Sequence, residues 1–247
     1  MTKDRRLGGT HLSVIDTIHL FQASSNRDEQ VGKLLQQHFS NIPLAQLIWE
    51  LKRHGLNCKA ESISIDKQWW TVLNDWNSHL QESWDGPKAT TYLLPAHSVE
   101  TINAICFENC ICLFLHAPLP KEKLKSLLTH EYNHCCRLAQ FGLPQTVQDY
   151  IILEGLAQWA VFELHGEEAL DPWAKAFTFK EALDIWDQVD FDSIMDIYAV
   201  LFGQETNAIP SHFGYTFGFR LVEQYVKKNL GLTSKQLFTV PTNEFMA

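Results

Sequence analysis

The chain has 247 residues, 45% of them apolar, enough to bury a sizeable core as one large domain or as a catalytic domain with a helical extension. A formal charge of −9 argues against nucleic acid, because phosphate binding needs clustered lysine and arginine. No run approaches the eighteen or so apolar residues of a spanning helix, and the start MTKDRRLGG, followed by LSVIDTIHLFQA, carries Asp16 and His19 and lacks a small-residue cleavage site. These features predict a cytoplasmic protein without a membrane partner.

The first 85 or so residues read as mainly helical, with amphipathic stretches near Arg27 to His54 and Asp66 to Trp84. Trp69, Trp70, Trp76 and Trp84 supply large packing surfaces, read as core before cleft wall. A break at DGPK, residues 85–88, divides a mainly helical N-terminal region, residues 1–88, from a second domain, residues 89–247. There ATTYLLPA, TINAICF and CICLFLHA read as strands, being short, β-branched or aromatic, and bounded by turn residues such as Glu108-Asn109. No internal repeat or low-complexity tract is evident.

Next comes KEKLKSLLTHEYNHCCRLAQF, with apolar groups at helical spacing, no internal proline or glycine, and an end just before Gly142 and Pro144. It contains His130, Glu131 and His134 in a His-Glu-x-x-His pattern. On a helix each residue advances about 100°, so residues four apart lie nearly one above the other and both imidazoles can reach one metal ion. Zinc accepts neutral imidazoles and a carboxylate in a tetrahedral shell, and a catalytic site leaves the fourth position to water. Glu131, beside the first histidine, points toward that open position as a general base.

A third ligand must come from elsewhere. Six and three residues after His134 stand Gln140 and Arg137, which excludes the metzincin pattern. Twenty residues downstream, after a turn at FGLPQ, Glu154 lies in the apolar stretch YIILEGLAQWAVF, where an unpaired charge is costly and a metal would compensate it. Six cysteines form no CxxC pair; Cys58, Cys106, Cys110, Cys112, Cys135 and Cys136 read as buried small hydrophobes. Relative to His130, Cys135 and Cys136 fall on other faces of the helix and are not expected to bind zinc. Near the C-terminus, IPSHFGYTFGFRLVEQYV places His212 and Tyr215 just before or inside an amphipathic helix, where a tyrosine can equally be plain core.

With these motifs the chain resembles the gluzincins, metallopeptidases with a His-Glu-x-x-His helix and a downstream glutamate ligand. A closer resemblance is to the small bacterial YjaZ-like family of predicted zinc-dependent proteases, whose HEYxH helix, EGLA block and late GYxxGY-type helix read here HEYNH, EGLA and Gly214-Tyr215-Thr216-Phe217-Gly218-Phe219. The resemblance runs from roughly Thr90 to Ala247. Two positions depart from it: Phe219 replaces the second tyrosine, and Gln158 stands where an acid that would orient a ligand histidine often follows EGLA.

The resemblance implies an α+β, gluzincin-like catalytic domain: a small mixed sheet, the motif helix and a glutamate-ligand helix, preceded by the helical N-terminal region. It implies one zinc per chain on His130, His134 and Glu154, with Glu131 as base, and a peptide or protein substrate paired along ENCICLFLH as the edge strand of the cleft. It further implies Tyr215 as donor to the oxyanion, with His212 as the second candidate. A metal-dependent amidase, or a zinc-stabilised binding module without turnover, would use the same ligands.

Overall fold

A computed structural model describes residues 14–17, 27–39, 42–57, 67–96, 103–115, 119–189, 197–203 and 208–247. The architecture is α+β, built on a small mixed sheet of four strands in the order β1-β2-β4-β3. These are β1 (Val14–Asp16), β2 (Thr90–Pro95), β3 (Asn103–Phe107) and β4 (Cys110–Leu115). β1 and β4 flank β2 in parallel, and β3 pairs antiparallel with β4 across the turn at Glu108 and Asn109.

All six residues of β4 are buried, because both faces of the sheet are covered. Side chains alternate across a strand, and here the alternation divides two cores. Ile111, Leu113 and Leu115 face α3 (Lys67–Trp84) and α4 (Lys121–Phe141). Cys110, Cys112 and Phe114 face α1 (Arg27–Leu35) and α2 (Leu44–Arg53). One expectation changes here. The strand CICLFL is interior, held by β2 on one side and β3 on the other, so it cannot offer a free edge; β3 is the outer strand of the described sheet on that side. The N-terminal region also supplies a strand, β1, too short to show a period of two.

Trp69 and Trp84 are buried, and Trp70 and Trp76 pack against the same core. Trp84 stacks on Tyr132 of the motif helix, with ring centroids 5.8 Å apart. The expected ends at Asp66, Thr101-Ile102 and His116-Ala117, and the packing of Cys58, lie outside the described residues. Among the described residues no helix is long and apolar enough to cross a membrane.

A third core joins α5 (Val147–His165), α6 (Phe179–Trp186), α7 (Ile197–Phe202), α8 (Phe213–Lys228), α9 (Ser234–Leu237) and α10 (Thr242–Met246). α4 ends at Gly142, whose φ of 77° a side-chain-bearing residue rarely adopts. Four residues later α5 begins with a reciprocal cap: Thr146 Oγ1 accepts from the Asp149 amide, and the Asp149 carboxylate accepts from the Thr146 amide, both at 3.1 Å. This short connection returns the chain so that α5 packs along α4.

α5 crosses α8 at two glycines. A Cβ on Gly155 would fall into the backbone of Gly218, and one on Gly218 would fall onto the Ile151 carbonyl. The glycines of EGLA and of GYTFGF thus answer each other across one helix crossing, and the close approach brings Tyr215 onto the same wall as Glu154.

Candidate metal centre

α4 presents His130 and His134 one turn apart, their rings nearly perpendicular with centroids 4.6 Å apart. From α5, Glu154 Oε2 lies 3.2 Å from His130 Nε2 and 3.6 Å from His134 Nε2. The three candidate ligand atoms all fall within 4.8 Å of one another. Four ligands at about 2.0–2.1 Å around a tetrahedral zinc stand roughly 3.3 Å apart, close to the two separations made by Glu154, and zinc accepts this N, N, O donor set. Nδ1 of His134 is buried and has no hydrogen-bond partner among the described residues.

Electrostatics ties the three together. Burial opposes a charge on His130, but its hydrogen bond to Glu154 and the charges of Glu154, Glu131 and Asp171 outweigh it and raise its pKa to about 9. Burial likewise opposes ionisation of Glu154, yet His134 and His130 hold its carboxyl well below the usual carboxylate range. Without a metal, the site is therefore an imidazolium and carboxylate pair. Glu131, only 5% exposed, is pushed up by burial against the pull of both histidines.

These groups open into a cavity of about 580 Å³. One wall is β3, with Ala104, Ile105 and Cys106, together with the motif face of α4; the other comes from α5, α7 and the start of α8. His212 and Tyr215 both line it. His212 is the residue before α8 and holds a left-handed conformation, φ 57° and ψ 26°, which is uncommon for a residue other than glycine and marks a position fixed by its surroundings. Its ring stacks on Trp173 with centroids 4.7 Å apart, and the ring of Tyr215 lies 6.1 Å from it.

Two cavity residues escaped the sequence. Trp173 is the tryptophan that forms cleft wall, whereas the four singled out earlier pack in the core. Asp171 stands in the connection after α5, bound by Lys123 Nζ at 3.0 Å and by Gln158 Nε2 at 3.1 Å. Gln158 thus holds a carboxylate thirteen residues further along the chain, whose charge reaches His130. A lone acid and a lone tryptophan in a loop carry no periodic or motif signal.

Residues 69–247 match the family described as "Predicted Zn-dependent protease (DUF2268)". The chain belongs to this family. The match to these predicted zinc-dependent proteases begins at Trp69, so α3, with its stack onto the motif helix, is part of the shared unit. Among curated relatives, YjaZ of Bacillus subtilis (strain 168) is 25% identical over 223 residues, covering 81% of this chain and 84% of that protein. YjfC of the same organism is 24% identical over 122 residues, covering 43% of this chain and 41% of its own. No solved structure matches.

Proposed function

We propose that this member of the family is a zinc-dependent metallopeptidase of gluzincin type that hydrolyses peptide bonds. The observation that carries the reading is the convergence of His130, His134 and Glu154, from two helices, to within 4.8 Å of one another beside a cavity. These three would hold one zinc per chain, with the catalytic groups in residues 89–247 and helices α1, α2 and α3 covering the sheet. Bound there, zinc supplies Lewis-acid chemistry, lowering the pKa of water and polarising a carbonyl.

The remaining chemistry falls to the chain. Glu131, with its raised pKa, takes the proton of the attacking water and later gives it to the departing amine. The Tyr215 hydroxyl, with His212 beside it, donates to the oxyanion that develops on the carbonyl oxygen. Asp171 adds negative charge behind His130, favouring a cation at the site. The substrate is a peptide or protein in the cytoplasm. Supporting an extended substrate, outer strand β3 borders the cavity through Ala104, Ile105 and Cys106, where backbone pairing is indifferent to sequence.

Turnover by the zinc-loaded protein on casein, peptide libraries and small amides tests this reading. Cleavage of long peptides is expected. Turnover confined to small amides would make the chain an amidase, and zinc binding with no turnover would make it a binding module.

A further inference from the structure

Cys106, next to the last residue of outer strand β3, and Cys135, in the motif helix α4, bring their sulfurs to 2.9 Å, where the two thiols hydrogen-bond to each other. They come from different elements, separated by a hairpin and the start of a long helix, yet the gap exceeds a sulfur–sulfur bond of about 2.05 Å by less than one ångström. Cys106 is half-buried on the cavity wall, whereas Cys135 is buried. An oxidant entering the cavity therefore meets Cys106 first, with Cys135 behind it. Cys110, Cys112 and Cys136 are buried and none of them lines the cavity. The proposed mechanism uses neither member of the pair.

We propose that Cys106 and Cys135 form a redox modification site, closing reversibly into a disulfide that ties the outer strand to the motif helix, with a hydroperoxide as oxidant. The Cys106 sulfur attacks the peroxide, breaking its O–O bond, giving a sulfenic acid and releasing an alcohol or water. The Cys135 sulfur then attacks that sulfenic sulfur; the S–O bond breaks, and the hydroxide leaves as water with the proton from Cys135. Two electrons leave the pair and two reduce the peroxide. A dithiol reverses the step by exchange.

Burial holds the Cys106 thiol well above its ordinary pKa, so thiolate is scarce and the reaction is slow. The bond would fix β3 against α4 directly beside His134 and one turn from Glu131. It would also close a loop of about 30 residues, which restricts the unfolded chain.

The test exposes the full-length folded protein to excess hydrogen peroxide, blocks remaining thiols with N-ethylmaleimide, and digests without reduction. Mass spectrometry should find the Cys106 and Cys135 peptides joined and two hydrogens lighter. Dithiothreitol should separate them, and thermal melting should rise by several degrees in the oxidised form only. Neither the link nor the rise should occur in Cys106→Ser or Cys135→Ala. Oxidation of Cys106 to sulfinic acid without the link, a link to another cysteine, or no modification would each overturn the proposal. The main readout uses the wild-type chain and needs neither zinc nor turnover, so its failure is separable from that of the peptidase reading.

Discussion

Glu154 sits among the apolar residues of α5 and meets His130 and His134 at 3.2 and 3.6 Å, so in the metal-free protein its charge is compensated by imidazole alone. Even outer groups that merely orient ligands carry roughly 10- to 100-fold of metal affinity. Glu154→Ala should therefore weaken zinc binding by more than about a hundredfold, measured by competition with a chromophoric chelator. Wild-type affinity in that variant would remove Glu154 from the ligand set.

The same pair sets a pH dependence. His130 keeps its proton below a pKa of about 9 without metal, whereas zinc takes a neutral imidazole. Binding at pH 7 must then expel that proton, so affinity should fall about tenfold per unit as the pH drops below 9 and level off above it. Calorimetry in buffers of different ionisation enthalpy should find about one proton released at pH 7; none released would contradict the pairing.

Tyr215→Phe keeps the ring on the cavity wall and removes only the donor. It should preserve zinc content and KM while costing roughly 2.7 to 4 kcal/mol in kcat. An unchanged kcat would return Tyr215 to a packing role and turn attention to His212.

At the level of elements, α5 and α8 meet through Gly155 and Gly218 so closely that neither position has room for a methyl group. Gly218→Ala should force the helices apart, lowering stability by about 1 to 3 kcal/mol as other overpacked sites do, and should shift Tyr215 relative to Glu154. Urea denaturation reads the first effect; an unchanged midpoint would contradict the tight crossing.

Such elements differ in how much of them shows in sequence. The motif helix is legible through Phe141, because apolar spacing marks its face and Gly142 its end. The outer position of β3 shows only as a weak contrast in apolar content. CICLFL reads as a strand, but its uninterrupted apolar run signals burial on both faces, as in a central strand, and the edge belongs to the less apolar NAICF. β1, three residues long, has no pattern to read. The convergence of His130, His134 and Glu154 was legible because one helix fixes two of them and a charge in an apolar stretch marks the third; Asp171 and Trp173 were not legible, since only the tertiary fold brings a loop to the cavity.

Across the whole molecule, the candidate site lies where two bodies of structure join. The sheet and α4 form one wall, and the helical layer from α5 onward forms the other. Arg137 fastens the joint: buried on α4, it donates to the carbonyls of Phe238 and Val240 and to Thr242 Oγ1 near the C-terminus. Thr242 Oγ1 in turn donates to Asp149 at the start of α5, at 2.6 Å. Activity should accordingly belong to the assembled chain.

The central claim is that this assembly activates water at zinc through Glu131. The most direct measurement compares wild type with Glu131→Gln, recording zinc content and the rate of peptide hydrolysis on the same preparations. Glutamine keeps the shape of the side chain and removes its basicity. Zinc should remain near one per chain in both proteins, and the rate in the variant should fall by on the order of a hundredfold or more. Equal rates at equal zinc content would contradict the account.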